Sequence, residues 1–176
     1  MPAAFERDYL GGSALAARLL WDALTPELDP LSPESPLLIL NGPLSGTAGP
    51  TVGRFVVCGK SPATGLWAES NCGGFFGPEL RMAGWDGVWI TGKAEKPVYL
   101  SIRDSKVEIR NADLLWGKDT YEVQEAIQQE NRQNGISGTT RVLGVGVAGE
   151  RMLPFALLLC DHGRVAGRTG LGAVMG

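Results

Sequence analysis

The sequence predicts an α+β domain that is rich in strands and carries a ligand-binding face of glycine-rich loops. Short apolar runs bounded by turn residues recur along the chain, while few segments have helical periodicity and the two kinds do not alternate regularly. Glycine is also unusually frequent, at 25 of 176 residues, which is about twice the average of ~7%. A single domain over residues 1–176 is expected.

In the first half of the chain, apolar residues at helical spacing follow Ser13, which can cap a helix. Four prolines then prevent regular structure until a short apolar run typical of a buried strand. The expected elements are a helix over 13–24, strands over 37–40, 54–59 and 88–91, a glycine-containing loop over 69–74, and a short helix over 78–83.

In the second half, turn residues Asp104 and Ser105 separate two short strands, which predicts a hairpin, and Asp119 precedes a polar helix as a candidate cap. The segments LLILNGPLSG and RFVVCGK have the same order as VLGVGVAGE and FALLLCD, which indicates an internal duplication. The expected elements are strands over 98–102 and 106–110, a helix over 120–131, strands over 141–147 and 153–159, and a glycine-rich tail.

Composition excludes several classes of function. A net charge of −3 provides no basic surface for nucleic acid or an anionic membrane. No apolar run reaches the roughly 20 residues of a membrane-spanning helix, and charged residues occupy the start of the chain, so a cytoplasmic protein is expected. The three cysteines lack the spacing of a zinc or iron–sulfur site and are expected to be buried thiols, with Cys72 set apart by its place in a glycine motif.

Familiar catalytic motifs are also absent from the sequence. His162 is the only histidine, and no serine lies in a GxSxG elbow, which disfavours a hydrolase triad. The tail GLGAVMG does not match a dinucleotide-binding loop, and no lysine-containing phosphate loop is present. No catalytic residue is assigned.

The remaining candidates are arginines and small residues in glycine-rich loops. Guanidinium groups bind phosphate through paired hydrogen bonds, and glycine turns expose backbone N–H groups to an anion. An asparagine in such a turn offers a neutral oxygen to Mg²⁺. The alternative is that the arginines are solvated surface charges and the asparagine merely occupies a turn. The candidate residues are Arg54, Asn71, Gly73, Gly74, Arg164, Gly167 and Arg168.

Four strings, in this order, resemble the N-terminal domain of the tungsten-dependent aldehyde:ferredoxin oxidoreductase family. They are GRFVVCGKSPATG, ESNCGGFFGPELRMAGWDGVWITGKAEKPVYL, LWGKDTYE and GRVAGRTGLGAVMG. The resemblance covers nearly the whole chain. It implies two saddle-like, mostly antiparallel sheets that enclose a bis-pterin cofactor of tungsten, or of molybdenum in some relatives.

The resemblance also implies roles for the candidate residues. Arg54 would lie between the pterin and a [4Fe–4S] cluster, and Gly73 and Gly74 would pass close to the cofactor. The Asn71 carbonyl oxygen would support the Mg²⁺ that joins the two pterin phosphates. Arg164 to Arg168 would form the second phosphate loop, with the carbonyl of Val165 or Ala166 also reaching that Mg²⁺.

The family's helical domains, which supply the cluster ligands and the acid/base groups, lie outside this sequence. The expected activity is oxidation of an aldehyde to a carboxylate, with electrons passing to ferredoxin or an iron–sulfur subunit. Alternatively, the chain is a truncated or split non-catalytic domain that binds a phosphate-bearing cofactor or pairs with a helical partner chain. Exposed apolar surface would favour self-association into homo-oligomers. Thr169 replaces a glycine of the family's phosphate loop, at a cost of about 1 kcal/mol if that position needs a positive φ.

Overall fold

The computed structural model describes residues 3–176 and confirms the α+β class. Within that range, the helices are α1 (Ala3–Tyr9), α2 (Gly12–Leu20), α3 (Phe76–Met82), α4 (Thr120–Gln133), α5 (Val147–Glu150) and α6 (Leu171–Met175). The strands are β1 (Leu37–Asn41), β2 (Phe55–Lys60), β3 (Trp67–Cys72), β4 (Gly87–Ile90), β5 (Val98–Arg103), β6 (Lys106–Asn111), β7 (Leu143–Gly144), β8 (Leu158–Cys160) and β9 (Arg164–Ala166).

All strand pairs of the described residues are antiparallel, as predicted. The first sheet has the order β3-β2-β1-β4, the hairpin β5-β6 forms a sheet of its own, and the third sheet has the order β7-β8-β9. Each half of the chain therefore contains three consecutive strands, β1 to β3 and β7 to β9, that pair in sequence order. This is the arrangement that the predicted duplication requires, although the duplication itself stays a prediction.

The four-stranded sheet is covered on both faces. Alternate residues of a strand point to opposite faces of the sheet. Because both faces are covered, β1 and β2 are buried along their whole length. One face packs beneath α2, in a core formed by Leu15, Ala16, Leu20, Leu38, Leu40, Val56 and Cys58. The other face packs against β8, β9 and α6, in a core formed by Leu37, Ile39, Phe55, Val57, Ala68, Cys72, Leu158, Cys160, Ala166 and Leu171.

The loop predicted over residues 69–74 is wrong for most of its length, because β3 continues to Cys72. Ala68, Ser70 and Cys72 point into the protein, while Glu69 and Asn71 between them point outward. A strand with one solvated face alternates in this way, and its polar half gave the segment the composition of a loop. The correction places Asn71, a predicted site residue, on a strand.

The strands predicted over residues 141–147 and 153–159 are mostly wrong. The structure keeps only the short β7 and β8 of these segments, and α5 begins at Val147. A side chain at Gly149 would lie 2.8 Å from the carbonyl oxygen of Gly172, so glycine allows α5 to pack closely on α6. Apolar residues here are therefore buried because two helices pack on each other. An alternating pattern of apolar residues alone does not distinguish such packing from a strand.

The predicted hairpin and the Asp119 helix cap are confirmed, whereas the Ser13 cap is wrong, because α2 already begins at Gly12. Asp104 and Ser105 both have a positive φ between β5 and β6. Asp119 accepts hydrogen bonds from the N–H groups of Tyr121 and Glu122, while the Glu122 side chain accepts one from the Asp119 N–H. Within the described residues, no helix is long and apolar enough to span a membrane.

Cys58 lies fully buried in the core beneath α2. Burial, with a smaller effect of the Glu69 charge, raises the pKa of its thiol from 9.0 to about 12. As the pH rises, the unfolded chain therefore loses this proton before the folded chain does. The stability that this thiol contributes is complete below pH 9 and is lost progressively toward pH 12.

We predict that the free energy of unfolding falls above pH 9 by up to about 1.4 kcal/mol per pH unit because of this thiol. Urea unfolding of the wild type and of Cys58→Ala across this pH range measures the effect. The variant is expected to lose stability less steeply, whatever its stability at neutral pH. Parallel pH profiles for the two proteins would contradict the prediction.

Candidate functional site

Hydrogen bonds between Arg54 and Asn71 join the start of β2 to the end of β3. Asn71 pairs with Val56 across these two strands. Arg54 Nη2 donates to the backbone carbonyl of Asn71 over 3.0 Å, and Arg54 Nε donates to the Asn71 side-chain oxygen. The carbonyl oxygen that was predicted to support Mg²⁺ thus has a guanidinium donor on one lone pair. A second lone pair remains for a cation.

Gly73 and Gly74 form the turn that leads from β3 toward α3. A side chain at Gly73 would lie 3.4 Å from Arg54 Nη1. Gly74 has a φ of +103°, and a side chain there would overlap the Asp161 carboxylate and lie 3.1 Å from Arg164 Cγ. Position 74 therefore requires glycine for both backbone and space, and it lies directly beside the second arginine-bearing segment.

The second predicted loop begins as β9, which is an edge strand of its sheet. Ala166 is fully buried, whereas Val165 is exposed on the surface. Successive carbonyl groups of a strand point to opposite sides, so one of these two residues directs its carbonyl away from β8. The geometry thus offers one free carbonyl to a cation and leaves both predicted candidates open.

Gly167 and Arg168 continue the loop beyond β9. The Ser70 hydroxyl of β3 donates to the carbonyl of Gly167 over 3.1 Å, which ties the two predicted loops together. Arg168 is exposed and has a φ of +71°. The energetic cost expected for Thr169 depends on a positive φ, which Thr169 does not have. This substitution therefore gives no reason to expect weak cofactor binding. The positive φ values fall instead on Arg168 and Gly170.

Two residues that no sequence motif indicated, Asp161 and Arg141, complete the contact between the loops. Asp161 Oδ2 accepts hydrogen bonds from the N–H groups of Phe75 at 2.6 Å and Phe76 at 3.3 Å. Its Oδ1 accepts one from Arg141 Nη1 at 3.1 Å. The sequence signal that could have indicated Asp161 is its position just before a glycine turn, since aspartate tolerates the left-handed conformation that such turns need. Its partners, however, are distant in sequence.

The three cysteines are free and buried, as predicted. Cys72 and Cys160 lie beneath the glycine turn with their Sγ atoms 3.9 Å apart. The hydrogen bond between these thiols lowers the pKa of Cys72, while the same bond and burial raise the pKa of Cys160. This pair belongs to the core under the site and does not face the loops' exposed side.

The charges of the site suit an anionic ligand. Arg54, Arg164 and Arg168 are exposed, and none forms an ion pair with another residue of the described range 3–176. That range also holds no group of three or more His, Cys, Asp or Glu side chains placed to bind a metal ion. The available donors are guanidinium groups, backbone amides and a few carbonyl oxygens. These fit a phosphate-bearing cofactor that brings its own metal, with Mg²⁺ held through carbonyls.

Comparison with known proteins agrees with this geometry. A family model described as the N-terminal domain of aldehyde ferredoxin oxidoreductase matches residues 1–176. The chain belongs to the aldehyde ferredoxin oxidoreductase family. It represents the N-terminal domain of that family of oxidoreductases.

Curated members of the family include close relatives of the chain. It is 46% identical to a tungsten-containing aldehyde ferredoxin oxidoreductase of Thermococcus kodakarensis over 170 residues, which is 97% of this chain and 27% of that protein. The corresponding enzyme of Pyrococcus furiosus is 45% identical over the same length. An aliphatic sulfonate oxidoreductase, WOR-like subunit, of Pyrococcus furiosus is 36% identical over 181 residues, 97% of this chain and 29% of that protein.

A solved structure of similar fold is the active-site complex BamBC of benzoyl coenzyme A reductase in complex with 1,5-dienoyl-CoA. It matches with a TM-score of 0.93 and 38% sequence identity, over 100% of this chain and 26% of that chain. This chain therefore spans about a quarter of the length of the proteins it resembles. Most of the length of those relatives lies beyond the part that this domain matches.

Proposed function

We propose that this domain holds a tungsten bis-pterin cofactor within an enzyme that oxidises an aldehyde to a carboxylate. A molybdenum bis-pterin would satisfy the same protein donors, and the tungsten-containing relatives favour tungsten. Electrons would leave through a [4Fe–4S] cluster to ferredoxin or an iron–sulfur subunit. Both the cluster ligands and the helical domains would come from outside this chain.

The observation that carries the proposal is the meeting of two glycine-lined, arginine-bearing segments. The turn at Gly73 and Gly74 lies beside Arg164, and a hydrogen bond from Ser70 connects β3 to Gly167. An anion with two separated phosphate groups requires two such segments side by side. A ligand with a single phosphate group would need only one such segment.

Each residue has a role in this proposal. Arg54 lies just before β2 and contacts the end of β3. It would bind the pterin on the side that faces the cluster, while Arg164 and Arg168 would bind phosphate. The carbonyl of Asn71 and that of Val165 or Ala166 would hold Mg²⁺ between the phosphates. The metal and its dithiolene ligands would supply the redox chemistry, and this domain supplies binding, orientation and positive charge.

The substrate class is proposed from the names of the relatives. One relative is named for an aliphatic sulfonate and one similar structure for benzoyl coenzyme A. The same domain thus accompanies different reactions, and a fold does not fix its substrate. The aldehyde is favoured because the relatives of highest identity are named for it.

The cofactor proposal is tested by metal and pterin analysis of the full-length protein, purified anaerobically from a host that makes tungstopterin. About one tungsten for every two pterins is expected, because the two segments bind the two pterin phosphates. The absence of both from folded protein would contradict the proposal. It would favour the alternative, a non-catalytic domain that pairs with a helical partner chain.

Arg54→Ala is expected to reduce pterin retention by at least about tenfold, because a charge-assisted contact to the cofactor is lost. Pterin released per folded protein measures the effect. Arg103→Ala is the matched control, since Arg103 lies exposed on the β5–β6 hairpin beside Asp104. Equal pterin and metal content in the two variants would count against the assignment of Arg54.

A further inference from the structure

Asp161 is the residue through which the two cofactor-binding segments contact each other most closely. Its side chain is only 7% exposed. It follows β8 directly and begins the turn into β9, so its position decides where Arg164 starts the second segment. Its carboxylate reaches back to the first segment, where it accepts the N–H groups of Phe75 and Phe76.

The backbone around Asp161 is held in an uncommon conformation. Asp161 has a φ of +48° and the adjacent His162 a φ of +51°. Residues other than glycine adopt this region only when their surroundings fix them there. The surroundings here are the two backbone donors, Arg141, and a stack between His162 and Tyr121 with ring centroids 5.5 Å apart.

The first segment is shaped around the same carboxylate. A side chain at Gly74 would overlap Asp161 Oδ2, so the absence of a side chain there is what admits the carboxylate. Arg141, which contacts Asp161 Oδ1, also lies over the Phe75 ring with its guanidinium carbon 4.7 Å from the ring centroid. The Asp161–Arg141 pair thus contacts the first segment through both the backbone and the ring of Phe75.

We propose that Asp161 is a positioning residue that sets the spacing between the Gly73–Gly74 turn and β9, and thereby between the two phosphate-binding segments. This inference rests on the proposed function for its ligand, a bis-pterin with two phosphate groups. The contacts by which Asp161 sets this spacing lie within this chain. Asp161 does not need to touch the cofactor, since it acts through Gly74 and Arg164.

The test compares Asp161→Asn with Asp104→Asn in the full-length protein. Asp104 is a matched control because it also has a positive φ, +45°, in a hairpin turn, but its side chain is 86% exposed. Asparagine tolerates this backbone conformation as well as aspartate does. The pair of variants therefore separates the contacts of the carboxylate from the demands of the backbone.

Amide hydrogen exchange on cofactor-free protein is the first measurement. Asp161→Asn is expected to speed exchange at Phe75 and Phe76 by about tenfold or more, and also in residues 164–167, because one carboxylate restrains both segments. Asp104→Asn should leave these amides unchanged. Unchanged exchange in Asp161→Asn, or a change confined to the first segment, would overturn the proposal.

Pterin dissociation from the loaded protein is the second measurement. Asp161→Asn is expected to release pterin about tenfold faster per folded molecule. Leu20→Ala, which weakens the core beneath α2 on the other face of the sheet, should lower stability without changing this rate. Equal pterin release from Asp161→Asn and wild type would overturn the proposal. A wild type that never binds pterin would instead contradict the proposed function, and hydrogen exchange would still decide whether Asp161 sets the spacing.

Discussion

Gly170→Ala is expected to destabilise the domain by at least about 3 kcal/mol, because it combines backbone strain with a steric overlap. Gly170 has a φ of +75° at the start of α6. A side chain there would overlap the carbonyl oxygen of Pro154 and lie 2.9 Å from Pro62 Cγ. Neither a backbone carbonyl nor a proline ring can swing aside, so α6 and the second segment of the candidate site would have to move.

Urea unfolding of Gly170→Ala beside Gly65→Ala separates the two effects. Gly65 has nearly the same φ, +69°, but a side chain there would meet nothing within 4 Å. The control is expected to lose only the backbone contribution, about 1 kcal/mol. Equal losses in the two variants would show that the packing around Gly170 yields without cost.

Lys60→Met is expected to cost about 3 kcal/mol, because it leaves three backbone carbonyls without their donor. The Lys60 ammonium is buried, with the residue only 5% exposed. It donates to the carbonyls of Thr25 at 2.8 Å, Pro26 at 2.8 Å and Leu28 at 2.7 Å. All three protons of the ammonium thus form hydrogen bonds that hold the proline-rich segment against the end of β2.

The control for this prediction is Lys93→Met, because Lys93 is exposed in the turn after β4. A surface substitution of this kind is expected to change stability by less than about 0.5 kcal/mol. Thermal or urea unfolding of both variants measures the difference. A loss for Lys60→Met no larger than that of the control would mean that water satisfies the three carbonyls after the ammonium is removed.

Lys60 also illustrates how function and folding share one motif. It closes the string RFVVCGK, which begins with Arg54, a residue of the candidate site. The motif supported the family resemblance as a whole, but its two charged residues lie in different environments. Arg54 is exposed beside the glycine turn, whereas Lys60 is buried at the other end of the same strand.

Local patterns were sufficient wherever neighbours in sequence decide the structure. Asp119 and Glu122 predict their capping box because all the partners lie within one turn of helix. Asp104 and Ser105 predict their hairpin for the same reason. The motifs with Arg54, Asn71 and Arg164 likewise indicated the family correctly, since their order along the chain is itself sequence information.

Local patterns failed where polar or glycine residues serve distant neighbours. The outward half of β3 resembles a loop until its pairing with β2 is known. Residues 141–147 resemble a strand, although α5 begins at Val147 and packs on α6 through Gly149. Periodicity reports which residues avoid water, but not which element they pack against.

The sequence by itself thus determined the α+β class, the family, and the residues that carry positive charge and glycine at the candidate site. Only the tertiary structure decided that Asp161 contacts Phe75, Phe76 and Arg141, that Thr169 has no positive φ, and that the Lys60 ammonium is buried against three carbonyls. The physical reason is common to all three. Each depends on contacts between residues far apart in the chain, and no local propensity encodes such contacts.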